Sequence, residues 1–205
     1  MSANNEKTQE NALQNVIKQA NAANNPDGET AGQQASLPPV HLWNPDYCGD
    51  IGMKIARDGQ WYYAGSPIGR KRLVRLFSTI LRHDEDGEHY LVTPVEKIRV
   101  EVEHAPFVAT LMQVEGTGRD RVLTFETNVG DFVCAGAAHI LRFEINAKNG
   151  QPAPYVHVRA RLEALIARSV FYDLVNLGEQ YGDQFGVWSG GVFFPIVPSA
   201  DIETN

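Results

Sequence analysis

The stretch Ile51-Gly52-Met53-Lys54-Ile55-Ala56-Arg57-Asp58-Gly59-Gln60-Trp61-Tyr62-Tyr63-Ala64 decides the fold class of this chain. Ile51, Met53 and Ile55 alternate with Gly52, Lys54 and Ala56, the period of two of a strand with one buried face. Asp58-Gly59 tolerates the positive φ of a tight hairpin, and Trp61 to Ala64 reads as the returning strand. An antiparallel ribbon therefore opens the folded body, and everything downstream has to pack on a sheet.

Next, Ser66-Pro67 has the form of a helix start, with Ser66 as cap and Pro67 at the first helical position. Leu73, Leu76, Phe77, Ile80 and Leu81 follow at helical spacing, leaving Arg70, Lys71, Arg72 and Arg75 on the other faces. Asp84-Glu85-Asp86-Gly87 is a turn. Tyr90 to Val92 and Ile98, Val100, Val102 then supply two short strands around Pro94. A second unit opens at Phe107, with strands over Val108 to Val114 and Val122 to Thr127 joined at Gly116-Thr117-Gly118. Ile140 to Ile145 and Tyr155 to Val158 flank the Asn149-Gly150 turn signal. Leu162, Leu165, Ile166, Val170, Phe171, Leu174 and Val175 read as one helix of about four turns. A last strand, either Val187-Trp188 or Val192-Phe193-Phe194, ends at Pro195 and Pro198. The order from Tyr62-Tyr63 through Leu73 and Leu76 resembles that from Tyr155 through Leu162 and Leu165, which points to two related halves with a shared strand, helix and strand.

Upstream of this body the composition changes. Residues 1 to 36 hold seven Asn and five Gln with no aromatic side chain, too little apolar surface to offset the entropy of ordering. Leu13, Val16, Ile17 and Ala20 have helical spacing, but an isolated helix this short is marginal. The expected organisation is a disordered or loosely attached arm over 1–37, an N-terminal α+β domain over 38–104, a C-terminal α+β domain over 105–198 and a tail over 199–205.

The charge balance bounds the partners. With 18 Lys+Arg against 25 Asp+Glu the net charge is -7, so binding to a nucleic-acid polymer is not expected. The start of the chain lacks the basic and apolar regions of a secretory signal, and no run of about 18 apolar residues spans a bilayer. A cytoplasmic protein is expected. Its two cysteines, Cys48 and Cys134, give neither a disulfide framework nor a zinc set.

Two segments carry candidate chemistry. Gly65 to Arg72 places Ser66, Arg70 and Arg72 at a helix start, where free amides, the helix dipole and guanidinium forks attract a phosphate; a solvated basic face looks the same in sequence. Tyr155, His157, Arg159 and Arg161 alternate along one strand face, which is either solvent-facing or able to hold an anion. Trp61 or Tyr155 is a candidate to stack on a base. The Gly116 to Arg121 loop is an ordinary turn or an anion nest. His83 to His89 lacks the spacing of a calcium loop, and neither a metal nor a cofactor is expected. No nucleophile and base pair stands out, so an enzyme ranks last.

The body of the chain resembles a bacterial family, domain of unknown function 1285. The resemblance lies in Trp43-Asn44-Pro45, Cys48-Gly49, Asp58-Gly59 with Trp61, Gly65-Ser66-Pro67-Ile68 with Arg70, Leu73-Val74 with Leu76-Phe77, Leu91 to Lys97, and Ala105-Pro106-Phe107. It continues through Tyr155-Val156, Val158-Arg159 and Leu162 to Ile166, and covers roughly residues 40 to 195. It implies a duplicated, mostly antiparallel α+β core of two small domains, the second pleckstrin-homology-like. It also implies a nucleotide-like ligand between the domains and a role in signalling. The family pattern has Asp where this chain has Gly52 and His104. The function expected is therefore a module binding a nucleotide-like or other phosphorylated small molecule, with a protein-protein interaction module as the alternative.

Overall fold

The computed structural model describes residues 2–24, 37–145 and 152–198 of the chain. It divides into two compact units, Met1–His104 and Ala105–Asn205. The Asn149-Gly150 turn expected from the sequence lies outside the described residues.

The first unit consists of α1 (Ser2–Asn24), β1 (Tyr47–Ile55), β2 (Trp61–Tyr63), β3 (Ser66–Pro67), α2 (Lys71–Thr79), β4 (Leu81–His83), β5 (His89–Val92) and β6 (Lys97–Val102). The alternation in β1 is realised: Ile51, Met53 and Ile55 are buried, as is Trp61 opposite Ile55. The sheet order is β3-β2-β1-β6-β5-β4, with β1 and β6 parallel at its centre. Helix α2 is shorter than its apolar pattern. Ser78 and Thr79 turn their hydroxyls back to the carbonyls of Arg75 and Leu76, at 2.7 Å each. Such back-bonding at a β-branched site loosens a helix. Leu81 then leaves to pair with Leu91.

Within the arm expected over 1–37, the described residues 2–24 correct the expectation of disorder, because they form α1 and α1 is docked. Val16 and Ala20, one helical turn apart, are 1% and 0% exposed. Asn24 donates to Thr79 Oγ1 at 2.9 Å, and Thr93 donates to Gln19 Oε1 at 2.9 Å. Two small apolar side chains and two polar anchors suffice once a tertiary surface exists to receive them, which propensity alone does not supply.

The second unit consists of β7 (Phe107–Glu115), β8 (Val122–Thr127), β9 (Phe132–Cys134), β10 (Leu141–Ile145), β11 (Pro152–Arg159), β12 (Leu162–Ile166), α3 (Arg168–Asn176), β13 (Glu179–Tyr181), β14 (Gln184–Ser189) and β15 (Val192–Pro198). Its large sheet runs β10-β11-β12-β7-β8-β9, with β12 and β7 parallel. Each six-stranded sheet is thus two antiparallel meanders joined through a parallel pairing of its first and last strands. The halves share a topology, and the fold is α+β as expected.

The equivalence differs from the one the sequence suggested. In chain order β2 matches β8 and β5 matches β11, so Tyr62 and Tyr155 are not counterparts. The expected helix from Leu162 is wrong in its first part. Leu162, Ala164 and Ile166 are buried at alternate positions and pair with β11 and β7; α3 begins only at Arg168. A segment that satisfies both periods goes to the one its neighbours complete. The last strand, β15, passes through Pro195 and ends at Pro198; it tolerates Pro195 because it is an edge strand of the small sheet β13-β14-β15. Buried Ser189 ties that sheet to the large one, accepting from Leu123 N at 2.9 Å and donating to Ala135 O at 2.7 Å.

Candidate functional site

A groove of about 510 Å³ opens in the first unit, lined by Asp50, Gly52, Met53, Lys54, Ala56, Tyr62, Gly65, Glu101 and Glu103. It exists because β1 bulges. The register with β6 steps from Asp50 opposite Arg99 to Met53 opposite Val100, leaving Ile51 and Gly52 extra. Asp50 Oδ1 accepts from Gly52 N at 2.7 Å, and Gly52 O accepts from Ala64 N at 2.9 Å. Gly52 sits at φ +76, and a Cβ there would lie 3.3 Å from Ala64 N and Cα. The bulge therefore needs glycine both for its dihedral and for the close pass of the β2–β3 turn.

Beyond the bulge the pleat aligns polar side chains. Tyr62, Lys54 and Glu101 stand opposite one another across β2, β1 and β6. Lys54 Nζ lies 2.7 Å from Glu103 Oε1 and 3.3 Å from Glu101 Oε1, while Glu103 Oε2 accepts from Arg57 N at 3.0 Å. The bonds to Glu103 and Glu101 raise the pKa of Lys54, and the Lys54 ammonium with the Arg57 amide holds Glu103 below the usual carboxylate range. Both stay charged at neutral pH. The lining carries three carboxylates against one ammonium, and that ammonium is already shared by two of them. Such a surface favours hydrogen-bond donors and cations and disfavours phosphate.

The residues singled out from the sequence do not line this groove. Trp61 is 0% exposed and stacks on Phe77 at 6.1 Å, so its ring is core and offers no face to a base. Ser66 belongs to β3, opposite Tyr63, and caps no helix, because Ile68 N bonds Trp61 O at 2.8 Å and prolongs the ribbon. Helix α2 starts at Lys71 with Arg70 as its N-cap residue; Arg70 and Arg72 are exposed. Tyr155 is 6% exposed, packed with Ala105, Ala153 and Leu165, and Arg142 covers its ring at 4.3 Å. It too has no free face for stacking. His157 sets Nε2 2.7 Å from Ala160 O and Nδ1 3.2 Å from Ala138 O. Arg159 is paired with Asp131 and lies 4.9 Å over the Phe107 ring. Arg161 is exposed at the turn after β11. These strand residues are engaged within their own unit rather than gathered round one anion.

Among the described residues no group of three or more His, Cys, Asp or Glu side chains is placed to hold a metal ion, and no helix is long and apolar enough to cross a membrane. The groove residues Lys54, Tyr62 and Glu101 were not among the site candidates that the sequence offered. Their only signal is alternation with Met53, Trp61 and Val100, which marks an outward face. The parallel pairing of β1 with β6 that joins them spans nearly fifty residues of chain.

The family models decide the kinship. The N-terminal domain of DUF1285, a domain of unknown function, matches residues 38–105, and its C-terminal domain, a protein of unknown function, matches 106–196. The chain belongs to the DUF1285 family. A DUF1285 protein of Silicibacter pomeroyi DSS-3 has 49% sequence identity and a TM-score of 0.80, with 92% of this chain and 97% of that one covered. A second DUF1285 structure, from Shewanella baltica OS155, shows 25% identity over 62% of this chain and 91% of that one, with a TM-score of 0.49. No curated protein matches the chain. Membership in DUF1285 accounts for the two-domain α+β architecture and brings no chemistry of its own.

Proposed function

We propose that this DUF1285 protein is a binding module whose first unit holds a small, donor-rich polar molecule in the groove beside the β1 bulge. The row Tyr62-Lys54-Glu101, flanked by Asp50 and Glu103, carries this reading. Carboxylate oxygens accept from hydroxyl, amino and ammonium groups, and the Tyr62 ring borders them. Binding rather than turnover is favoured because Lys54 and Glu103 pair with one another, which raises the pKa of the ammonium and lowers that of the carboxylate, each away from the neutral range a general acid or base uses. A nucleotide-like ligand fits if its nucleoside enters the groove and its phosphate stays outside. The exposed Arg70 and Arg72 follow the lining residue Gly65 closely in the chain and are the cations proposed to meet that phosphate. A module of this kind suits bacterial signalling.

Isothermal titration with a nucleoside, its monophosphate, spermidine and inorganic phosphate tests the proposal. Expected is binding of a donor-rich compound below millimolar concentration, at least about tenfold weaker in Glu101→Gln, and none of inorganic phosphate. Arg70→Ala should weaken the monophosphate alone. No heat with any compound down to millimolar affinity would overturn it. One observation favours the second reading, a protein-interaction module. Leu111 and Phe132, 58% and 61% exposed, flank Glu126 in one row across β7, β8 and β9. Recovery of a stoichiometric protein partner, lost in Phe132→Ser, would support that reading.

A further inference from the structure

Three aromatic rings of the small sheet converge beside the loop that joins β7 to β8. Tyr181, Trp188 and Phe193 have centroids 5.1 to 5.2 Å apart, each pair tilted or edge-to-face. Trp188 forms the floor at 9% exposure, and Tyr181 stands at the rim at 49%. Over them lies a cation from the same unit: the Arg119 guanidinium is 4.9 Å from the Trp188 ring centroid and 5.2 Å from that of Tyr181. Both distances fall within the roughly 6 Å range of cation–π attraction.

The loop is shaped to place it there. Arg119 occupies a single 3-10 turn, Gly118–Asp120, closed by Gly116 at φ +70, where a Cβ would stand 2.6 Å from Asp120 O. The neighbouring Arg121 points elsewhere, donating to Leu177 O at 2.7 Å. A small three-stranded sheet needs apolar side chains for its core, but a core does not require an exposed guanidinium above two of its rings.

We infer that the Tyr181–Trp188–Phe193 surface is a recognition point for an organic cation, an alkylated ammonium or a guanidinium, and that Arg119 holds its place when no such cation is bound. The ring faces supply the attraction, the tilts leave no face-to-face stack to be broken, and a tethered exposed arginine is displaced without unfolding anything. Because the tether gives Arg119 a high effective concentration, it weakens the apparent affinity of a free competitor.

NMR titration of the full-length protein tests this by following the Trp188 indole proton with choline and with its uncharged isostere 3,3-dimethylbutan-1-ol. Arg119→Ser should bind choline about tenfold more tightly than the parent protein does, and choline should bind at least about fivefold more tightly than the isostere. Tyr181→Ala should remove the response. No Trp188 shift in Arg119→Ser with choline up to about 50 mM would overturn the inference, and so would equal affinity for the isostere, which would reveal a plain apolar patch. These two arms do not depend on the folding of Tyr181→Ala. A trimethyllysine peptide serves as the third probe. Binding tighter than choline supports the site with a chain-borne cation as its source, and weaker binding supports it with a free one. Failure here leaves the groove of the first unit untouched, since none of its residues takes part.

Discussion

Gly52 concentrates the requirements of the first-unit groove in one residue. Its φ of +76 and the 3.3 Å pass over Ala64 mean that Gly52→Ala should lower stability by about 1–3 kcal/mol, measured by urea unfolding, through left-handed strain plus crowding. A second single-residue effect lies at His89. Its ring stacks on His83 at 4.2 Å. Burial first, then the neighbouring His83, bring its pKa down from 6.5 to about 4. In the unfolded chain it gains a proton below pH 6.5, whereas in the fold it stays neutral until about 4. The stability it supports is therefore complete above pH 6.5 and declines as pH falls from 6.5 to 4. Water at the half-buried ring limits the loss to about 1–2 kcal/mol. The parent should lose stability between pH 7.5 and 5 relative to His89→Asn, and parallel profiles for the two would refute the assignment.

At the scale of elements, Arg82 on β4 fastens the segment before β1. Its guanidinium meets both oxygens of Asp84, at 2.5 and 3.0 Å, and donates to Val40 O at 2.8 Å and Trp43 O at 2.6 Å. Lys97 Nζ completes the cluster 2.6 Å from Asp84 Oδ2. Burial works against the Asp84 carboxylate, yet the bonds from Arg82 and Lys97 outweigh it and leave its pKa below the ordinary value. Replacing Arg82 by Met takes the guanidinium bond from Trp43 O and Val40 O, the latter keeping only Trp43 N at 3.3 Å, and leaves Asp84 with Lys97 alone, so a loss of about 2–4 kcal/mol is expected in thermal or chemical melts. Helix α1 is held by a different device, the buried Val16 and Ala20 together with the hydrogen bonds of Asn24 to Thr79 and of Thr93 to Gln19. Val16→Asp should release it, and hydrogen exchange should then lose protection at α2 and β1 of the first unit while β8 and β11 of the second keep theirs.

The whole molecule is acidic, with net charge -7, and its groove repeats that sign locally. Electrostatics then predicts the salt response of any ligand. Raising ionic strength from about 0.05 to 0.5 M should weaken a cationic ligand of the groove several-fold through screening. A ligand held chiefly by phosphate at Arg70 and Arg72 would also weaken with salt, but Arg70→Ala would reduce that dependence and Glu101→Gln would not. The duplicated topology adds a contrast. The two sheets share their strand order, yet only the first unit places a helix, α2, between the meanders of its sheet; in the second, α3 follows β12. Related backbones thus present unlike surfaces.

Local chemistry determined much of this protein. The β1–β2 hairpin, the turns at Asp58-Gly59 and Asp84 to Gly87, most strands, the change of unit near residue 105 and the α+β class all follow from periodicity and turn residues, which act over a few positions. What eluded such reading depends on partners far away in the chain. Leu162 to Ile166 became strand because β7 and β11 flank it; α1 became ordered because Thr79 and Thr93 receive it. Trp61 went to the core and Arg70 and Arg72 to solvent. The groove arose where β1 and β6, distant in sequence, run side by side. Periodicity fixes which face a side chain takes, but only the packing of remote strands decides what that face meets, since the free energy of burial and pairing exists only between surfaces brought together.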